Sequence, residues 1–355
     1  MKINKYNSKI IFCFALFMAT ACKQANTGQH SVSYENKITG ISLAASPRII
    51  DDSTVQSILD MHAGWVCLMP FAFVENIHDA KIHYNSDRQW HGETIEGIKE
   101  TMDAFKKKGV HVMLKPQLWV GWGSFTGDIE MQTEANWDSL EQDYSHYIVD
   151  FAKVAQSENC DMLCIGTELN KFVVARPSYW NNLIDSIRKI YSGKLTYAEN
   201  WDAYNKVSFW KKLDFIGINA YFPLSDAKDI SIKTLENSWE KYTKQLSSFS
   251  SSQDKKIIFT EYGYRSCDFT ARAPWDENEE PVNFSNQEFA LQALYNSCWD
   301  QPWFDGGFLW KWYDGNKNIF KKDNTDYTPQ NKPAQNVVKK MYDKQGKNEQ
   351  LNQTQ

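Results

Sequence analysis

Val110-His111-Val112-Met113-Leu114, a long amphipathic stretch from Trp137 to Ser157, and then Met162-Leu163-Cys164-Ile165-Gly166 follow one another along the chain. The outer two runs are short and almost continuously apolar, as strands covered on both faces are. The stretch between them carries Leu140, Tyr144, Tyr147, Ile148, Phe151 and Val154 along one side at helical spacing. Strand, helix, strand in this order is the unit that joins parallel strands. The same alternation continues on both sides. Upstream lie strand-like Ile38 to Leu43, a helix over Ser53 to His62 with Ser53 as its N-cap, and strand-like Trp65 to Met69. A helix over Glu93 to Lys108 then stops at Gly109. Downstream come a helix over Tyr179 to Tyr191, strand-like Leu195 to Ala198, a short helix around Val207 to Lys212, and strand-like Phe215 to Ile218. The series ends with a helix over Ile232 to Ser248, strand-like Ile257 to Phe259, a helix over Asn286 to Trp299, strand-like Gly307 to Leu309, and a helix over Pro333 to Tyr342. Eight strands, each followed by a helix, predict an α/β protein of the (β/α)8 TIM-barrel type, a single domain over residues 37–345 with enlarged βα loops. A doubly wound open sheet is the alternative. It is weaker, because Leu43-Ala44-Ala45-Ser46-Pro47 after the first strand lacks the Gly-rich phosphate turn.

Composition narrows the class of function. Of the 355 residues, 42% are hydrophobic and 23% charged, which excludes a disordered chain. The 39 Lys and Arg face 44 Asp and Glu, and no basic stripe offers itself to nucleic-acid phosphates. Aromatic residues are 14% of the chain. Most belong to a core, but Trp119, Trp122, Trp201, Trp275, Trp310 and Trp312 fall near loops or strand ends, where flat rings suit sugar faces.

The first residues read as an address. Lys2, Lys5 and Lys9 precede an apolar run from Ile10 to Met18, and Ala19-Thr20-Ala21 has the small-residue pattern of a cleavage site. The run is too short for a permanent membrane span. Cys22 follows directly, and the whole resembles a bacterial lipoprotein signal in which that Cys takes the lipid and becomes the mature N-terminus. Ala19 departs from the Leu preferred there, so plain secretion after Ala21 stays open. Residues 1–21 are thus read as signal, 22–36 as lipid-attachment Cys and polar tether, and 346–355 as a polar tail. Cys67, Cys160, Cys164, Cys267 and Cys298 remain, an odd number without metal-type spacing, and Cys67 and Cys164 fit buried positions in strands.

In a barrel the chemistry sits at the C-terminal strand ends. Strand four ends in Gly166-Thr167-Glu168-Leu169-Asn170 and strand seven in Thr260-Glu261-Tyr262-Gly263-Tyr264-Arg265. Each Glu emerges where the chain leaves the barrel, so the two approach one pocket from different sides. Paired carboxyls of that kind serve glycoside hydrolysis, and the retaining form sets them about 5–5.5 Å apart. Ile165-Gly166-Thr167-Glu168-Leu169, Phe259-Thr260-Glu261-Tyr262-Gly263-Tyr264-Arg265-Ser266 and Ala271-Arg272-Ala273-Pro274-Trp275-Asp276 resemble glycoside hydrolase family 113, within the large clan of retaining TIM-barrel glycosidases. The resemblance covers roughly residues 37–342.

That resemblance implies an endo-β-mannanase, with Glu168 as acid/base and Glu261 as nucleophile, and Tyr221 bonded to the nucleophile. Thr167 stands where most of the clan has Asn, so the sugar 2-hydroxyl needs another reader, Asn170 or Asn200. Lys115, Trp119, Tyr197, Asn200 and Trp310 are candidate sugar contacts. Lys115 reads equally as the partner of a neighbouring acid, and Arg265 either as charge near the nucleophile or as a tie between loop and barrel. The expected partner is an oligo- or polysaccharide, for a monomer without metal or cofactor that meets the membrane through its lipid alone. Asp276 to Glu280 and Asp314 to Asn318 lack a full calcium-loop ligand set, and neither H-E-x-x-H nor G-x-S-x-G occurs. A different β-glycan, or a surface glycan-binding lipoprotein without catalysis, are the competing readings.

Overall fold

The computed structural model describes residues 37–315 and 324–352. The signal, the tether with Cys22, and Asn316 to Asn318 of the calcium-like run lie outside the described residues. In chain order the strands are β1 (Ile38–Leu43), β2 (Trp65–Leu68), β3 (Phe71–Val74), β4 (His111–Leu114), β5 (Gln117–Val120), β6 (Met162–Thr167), β7 (Lys194–Asn200), β8 (Ile216–Asn219), β9 (Ile257–Tyr262) and β10 (Phe304–Trp312). The helices are α1 (Asp52–Leu59), α2 (Ile95–Lys106), α3 (Glu134–Ser157), α4 (Asn170–Ala175), α5 (Pro177–Arg188), α6 (Ile232–Gln253), α7 (Phe284–Cys298) and α8 (Ala334–Asn352). Eight strands close a barrel in the order β1-β10-β9-β8-β7-β6-β4-β2, and every pairing is parallel. The chain is a TIM barrel, as the alternating pattern predicts.

The strands are continuous apolar runs because side chains on one face fill the barrel and those on the other meet the helices. β1, β6 and β9 are buried at every position. Helix starts follow capping chemistry: Thr94, Thr133, Ser231 and Asn283 each accept a backbone N–H of the first turn. The first helix differs from expectation. Asp51, not Ser53, caps it by accepting the N–H of Thr54, and the Ser53 hydroxyl donates to Asp51 instead.

Three further features depart from the sequence reading. Between β7 and β8 the expected helix is replaced by two 3₁₀ turns, Tyr204–Lys206 and Trp210–Lys212. The connection after β6 carries two helices rather than one. The last helix runs on to Asn352, through most of the segment read as a tail. The five cysteines from Cys67 to Cys298 are all buried thiols. Among the described residues no helix is long and apolar enough to cross a membrane.

β3 and β5 form a separate two-stranded parallel sheet. Each directly follows a proline, Pro70 or Pro116, that stands two residues past the end of a barrel strand. Proline has no N–H for the ladder, so the barrel pairing stops there and the chain leaves for a second sheet. Ala72, Val74, Leu118 and Val120 are buried on one face of this sheet, while the register pair Phe73 and Trp119 is exposed on the other.

Candidate active site

Both carboxylates lie beside a fault in the parallel ladder. The β6–β7 register shifts between Cys164 and Thr167, just before Glu168. The β8–β9 register shifts where Ile218 pairs with Phe259 but Asn219 with Glu261. In a regular strand Glu261 would face the same way as Phe259, which stacks against Trp239 of α6 with ring centroids 6.3 Å apart. The extra residue re-aims it, as bulges beside active sites do, and Glu261 lines the cleft. Glu168 takes a left-handed backbone conformation, φ +52°. An L-residue there costs about 1–2 kcal/mol, so the surroundings must hold it.

Glu261 is 5% exposed and is held from three sides. The ammonium of Lys115, itself fully buried, forms an ion pair with Oε1. The Tyr221 hydroxyl donates to Oε2 at 2.8 Å, and Gln117 Nε2 donates to Oε1 at 3.3 Å. Burial is the largest influence on Lys115 and pulls its pKa down, but the Glu261 carboxylate and the neighbouring Cys67 and Cys164 together raise it, and the net shift is upward. Burial and the same carboxylate push the Tyr221 phenol well above its ordinary value, so it remains a donor.

Glu168 is half-buried at the cleft. Asn219 Nδ2 donates to its Oε1 at 2.8 Å, and the Thr260 hydroxyl donates to Asn219 Oδ1 at 2.8 Å, which fixes the amide orientation. Loss of hydration on burial, then the charge of Glu261, raise the Glu168 pKa to about 7 against the opposing pull of Asn219 and Lys115. The two carboxyls therefore have unlike surroundings: one is paired with a buried cation and the other is pushed towards its protonated form. A third carboxyl, Glu199 in β7, is 1% exposed, and burial pushes its pKa to about 7.

The cleft above them encloses about 760 Å³. Trp119, Phe125, Trp201, Trp275, Trp310 and Tyr327 contribute aromatic walls, and Trp201 stacks on Trp275 at 5.4 Å. Of the residues singled out from sequence, Glu168, Glu261, Trp119, Asn200, Tyr221 and Trp310 line this cleft. Lys115 sits beneath it as the partner of Glu261, with Trp310 over its ammonium at 5.7 Å. Asn170, the first residue of α4, is half-buried away from the lining. Tyr197 is fully buried behind the wall, packed against Trp180, Phe209 and Trp210. Arg265 also lies away from the lining; it donates to the carbonyls of Thr325, Asp276 and Asn278, and so ties two loops together. Thr167 is buried too, and Asn200 is the amide that reaches the cleft. Trp312 belongs to the core, its indole donating to Ser57, while Trp122 is 95% exposed.

Gln117, Asn219, Asp202, Glu277 and Tyr327 were given no place in the site by the sequence reading. Asn219 had a visible signal, since it ends a barrel strand as Glu168 and Glu261 do. Gln117 opens the short strand β5 and the rest stand on loops, and sequence reveals the path of neither. Among the described residues no group of three or more His, Cys, Asp or Glu is placed to hold a metal ion.

The model for Glycoside Hydrolase Family 113 matches residues 50–332. The fold is similar to a GH113 β-1,4-mannanase, at a TM-score of 0.77 and 23% identity, covering 87% of this chain and 99% of that one. It is similar to the GH113 β-mannanase AaManA from Alicyclobacillus acidocaldarius, also at 0.77 and 23%, over 87% and 97%. A Faecalibacterium prausnitzii β-glucuronidase shares the fold more distantly, at 0.58 and 14%, over 87% of this chain and 49% of that one. No curated protein sequence matches the chain.

Proposed function

The chain belongs to glycoside hydrolase family 113, and from that premise we propose that it cleaves internal linkages of a β-mannan by double displacement. The observation that carries this reading is the contrast between Glu168 and Glu261 in one cleft. Glu261, beside the buried Lys115 ammonium and bonded by Tyr221, attacks the anomeric carbon as a carboxylate. Glu168, raised to about 7, donates its proton to the leaving oxygen and later takes one from the incoming water. Trp119, Trp275 and Trp310 offer apolar faces to the sugar rings, and Asn200 supplies an amide for a hydroxyl. The similar structures are β-mannanases, which supports the choice of mannan. The N-terminal pattern ending at Cys22 supports reading the enzyme as an exported, lipid-anchored protein.

The test is incubation of residues 23–355 with reduced β-mannan oligosaccharides, products resolved by size, and the Glu261→Ala variant as control. Internal cleavage that the variant loses is the expected result. Cleavage of another β-glycan alone would move the substrate, and no cleavage of any β-glycan would leave a binding protein.

A further inference from the structure

Resting on the retaining-glycosidase reading, we propose that Tyr197 and Glu199 are positioning residues for Glu168, holding from behind the strained turn that carries the acid/base carboxyl. The left-handed conformation of Glu168 persists only if its neighbours over-determine it. Two consecutive backbone N–H groups do so, and both bond to β7. Glu168 N–H donates to the Ala198 carbonyl at 2.8 Å, and Leu169 N–H donates to the Tyr197 hydroxyl at 2.8 Å. The first bond is backbone to backbone and is open to any sequence. The second depends on one side chain.

That side chain is itself fixed. The Tyr197 ring packs edge-on against the stacked pair Trp180 and Phe209, each 5.5 Å away by centroids. Its hydroxyl has one proton and donates it to Glu199 Oε2 at 3.1 Å. Glu199 Oε1 accepts the Asn200 N–H at 2.9 Å. A backbone N–H only donates, so the hydroxyl offers a lone pair to Leu169 N–H and its single proton points at Glu199 Oε2. The chain of bonds runs from Glu199 through Tyr197 to the peptide that follows the acid/base. Neither residue lines the cleft, so neither touches substrate. Their effect on rate passes through the placement of Glu168, where an error of about 1 Å costs on the order of 100-fold.

The experiment compares Tyr197→Phe and Glu199→Gln with wild type on methyl and dinitrophenyl β-mannobiosides. Methoxide must be protonated as it leaves, whereas dinitrophenolate leaves without a proton. Tyr197→Phe keeps the packed ring and removes only the hydroxyl. For the methyl glycoside kcat/KM is expected to fall by about 10- to 100-fold. For the dinitrophenyl glycoside kcat/KM is expected to stay within about threefold. In the same variant kcat on the dinitrophenyl substrate falls, with a burst of dinitrophenolate, because the displaced carboxyl also serves the second step. Loss of structure alone would lower both substrates equally, and that result, or no loss on the methyl glycoside, would overturn the inference. Should Tyr197→Phe not fold, the same split in Glu199→Gln decides. A wild type that turns over neither compound overturns the retaining-mannanase reading and this inference with it, whereas an equal loss in an active enzyme removes the inference alone.

Discussion

Glu168 sets chemistry against stability. Its pKa is 4.5 as a free side chain and about 7 in the fold, with burial the main cause. A raised carboxyl holds its proton more tightly in the folded state. Its contribution to stability is therefore complete below pH 4.5 and lost as pH rises through about 7. Glu168→Gln, which cannot ionise, is expected to melt with wild type near about pH 4 and to be more stable near about pH 8, by up to about 3 kcal/mol. A stability difference that does not change with pH would sink this. In wild type, kcat/KM should fall along an alkaline limb near pH 7, where the acid loses its proton. The two Glu were legible because each closes an apolar run at a strand end. The place of Tyr197, read from sequence as a sugar contact, was not, because β7 is buried along its whole middle. When a strand is buried all along, no polar alternation tells the residues that face the barrel interior from those that face the helices.

The loops above β9 and β10 depend on Arg265. Its guanidinium bonds the carbonyls of Asp276 and Asn278, on either side of Glu277, and the carbonyl and hydroxyl of Thr325. Trp275, Glu277 and Tyr327 of these loops line the cleft, so the tie shapes the substrate wall without entering it. Arg265→Ala is expected to raise KM about 5- to 10-fold while kcat changes less than about twofold. Initial rates on mannan oligosaccharides check this, and an unchanged KM would show that the loops hold without it. The β3–β5 sheet and the ladder faults at Thr167 and Glu261 were hidden in the sequence for a related reason. Strands of four residues carry little periodicity, and a bulge is a property of two strands in register rather than of either one. Pro70 and Pro116 were the available sign that two barrel strands stop early.

In the reading proposed above, the whole chain sets an export signal ahead of an acidic barrel. Without Lys2, Lys5 and Lys9 the mature chain would hold 36 cations against 44 acids, a net charge of −8. If Cys22 carries lipid, the full-length protein made in a bacterial host partitions with membranes and takes up labelled fatty acid. Cys22→Ser is expected to lose the label and appear in the soluble fraction with its cleavage of mannan intact. Label retained by the variant would refute the anchor.

Barrel class, the position of most helices and the two Glu at strands four and seven are all written in local pattern. Runs of apolar residues at periods set by strand and helix, and acids that interrupt them, depend on near neighbours in the chain. The partners of those acids are not local. Lys115 and Gln117 reach Glu261 from 146 and 144 residues away, Asn219 reaches Glu168 from 51, and Tyr197 reaches Leu169 from 28. Closing the barrel brings these side chains together and strips the water from Glu168, and with it come the pKa, the strain and the roles that set Tyr197 and Arg265 apart from the substrate.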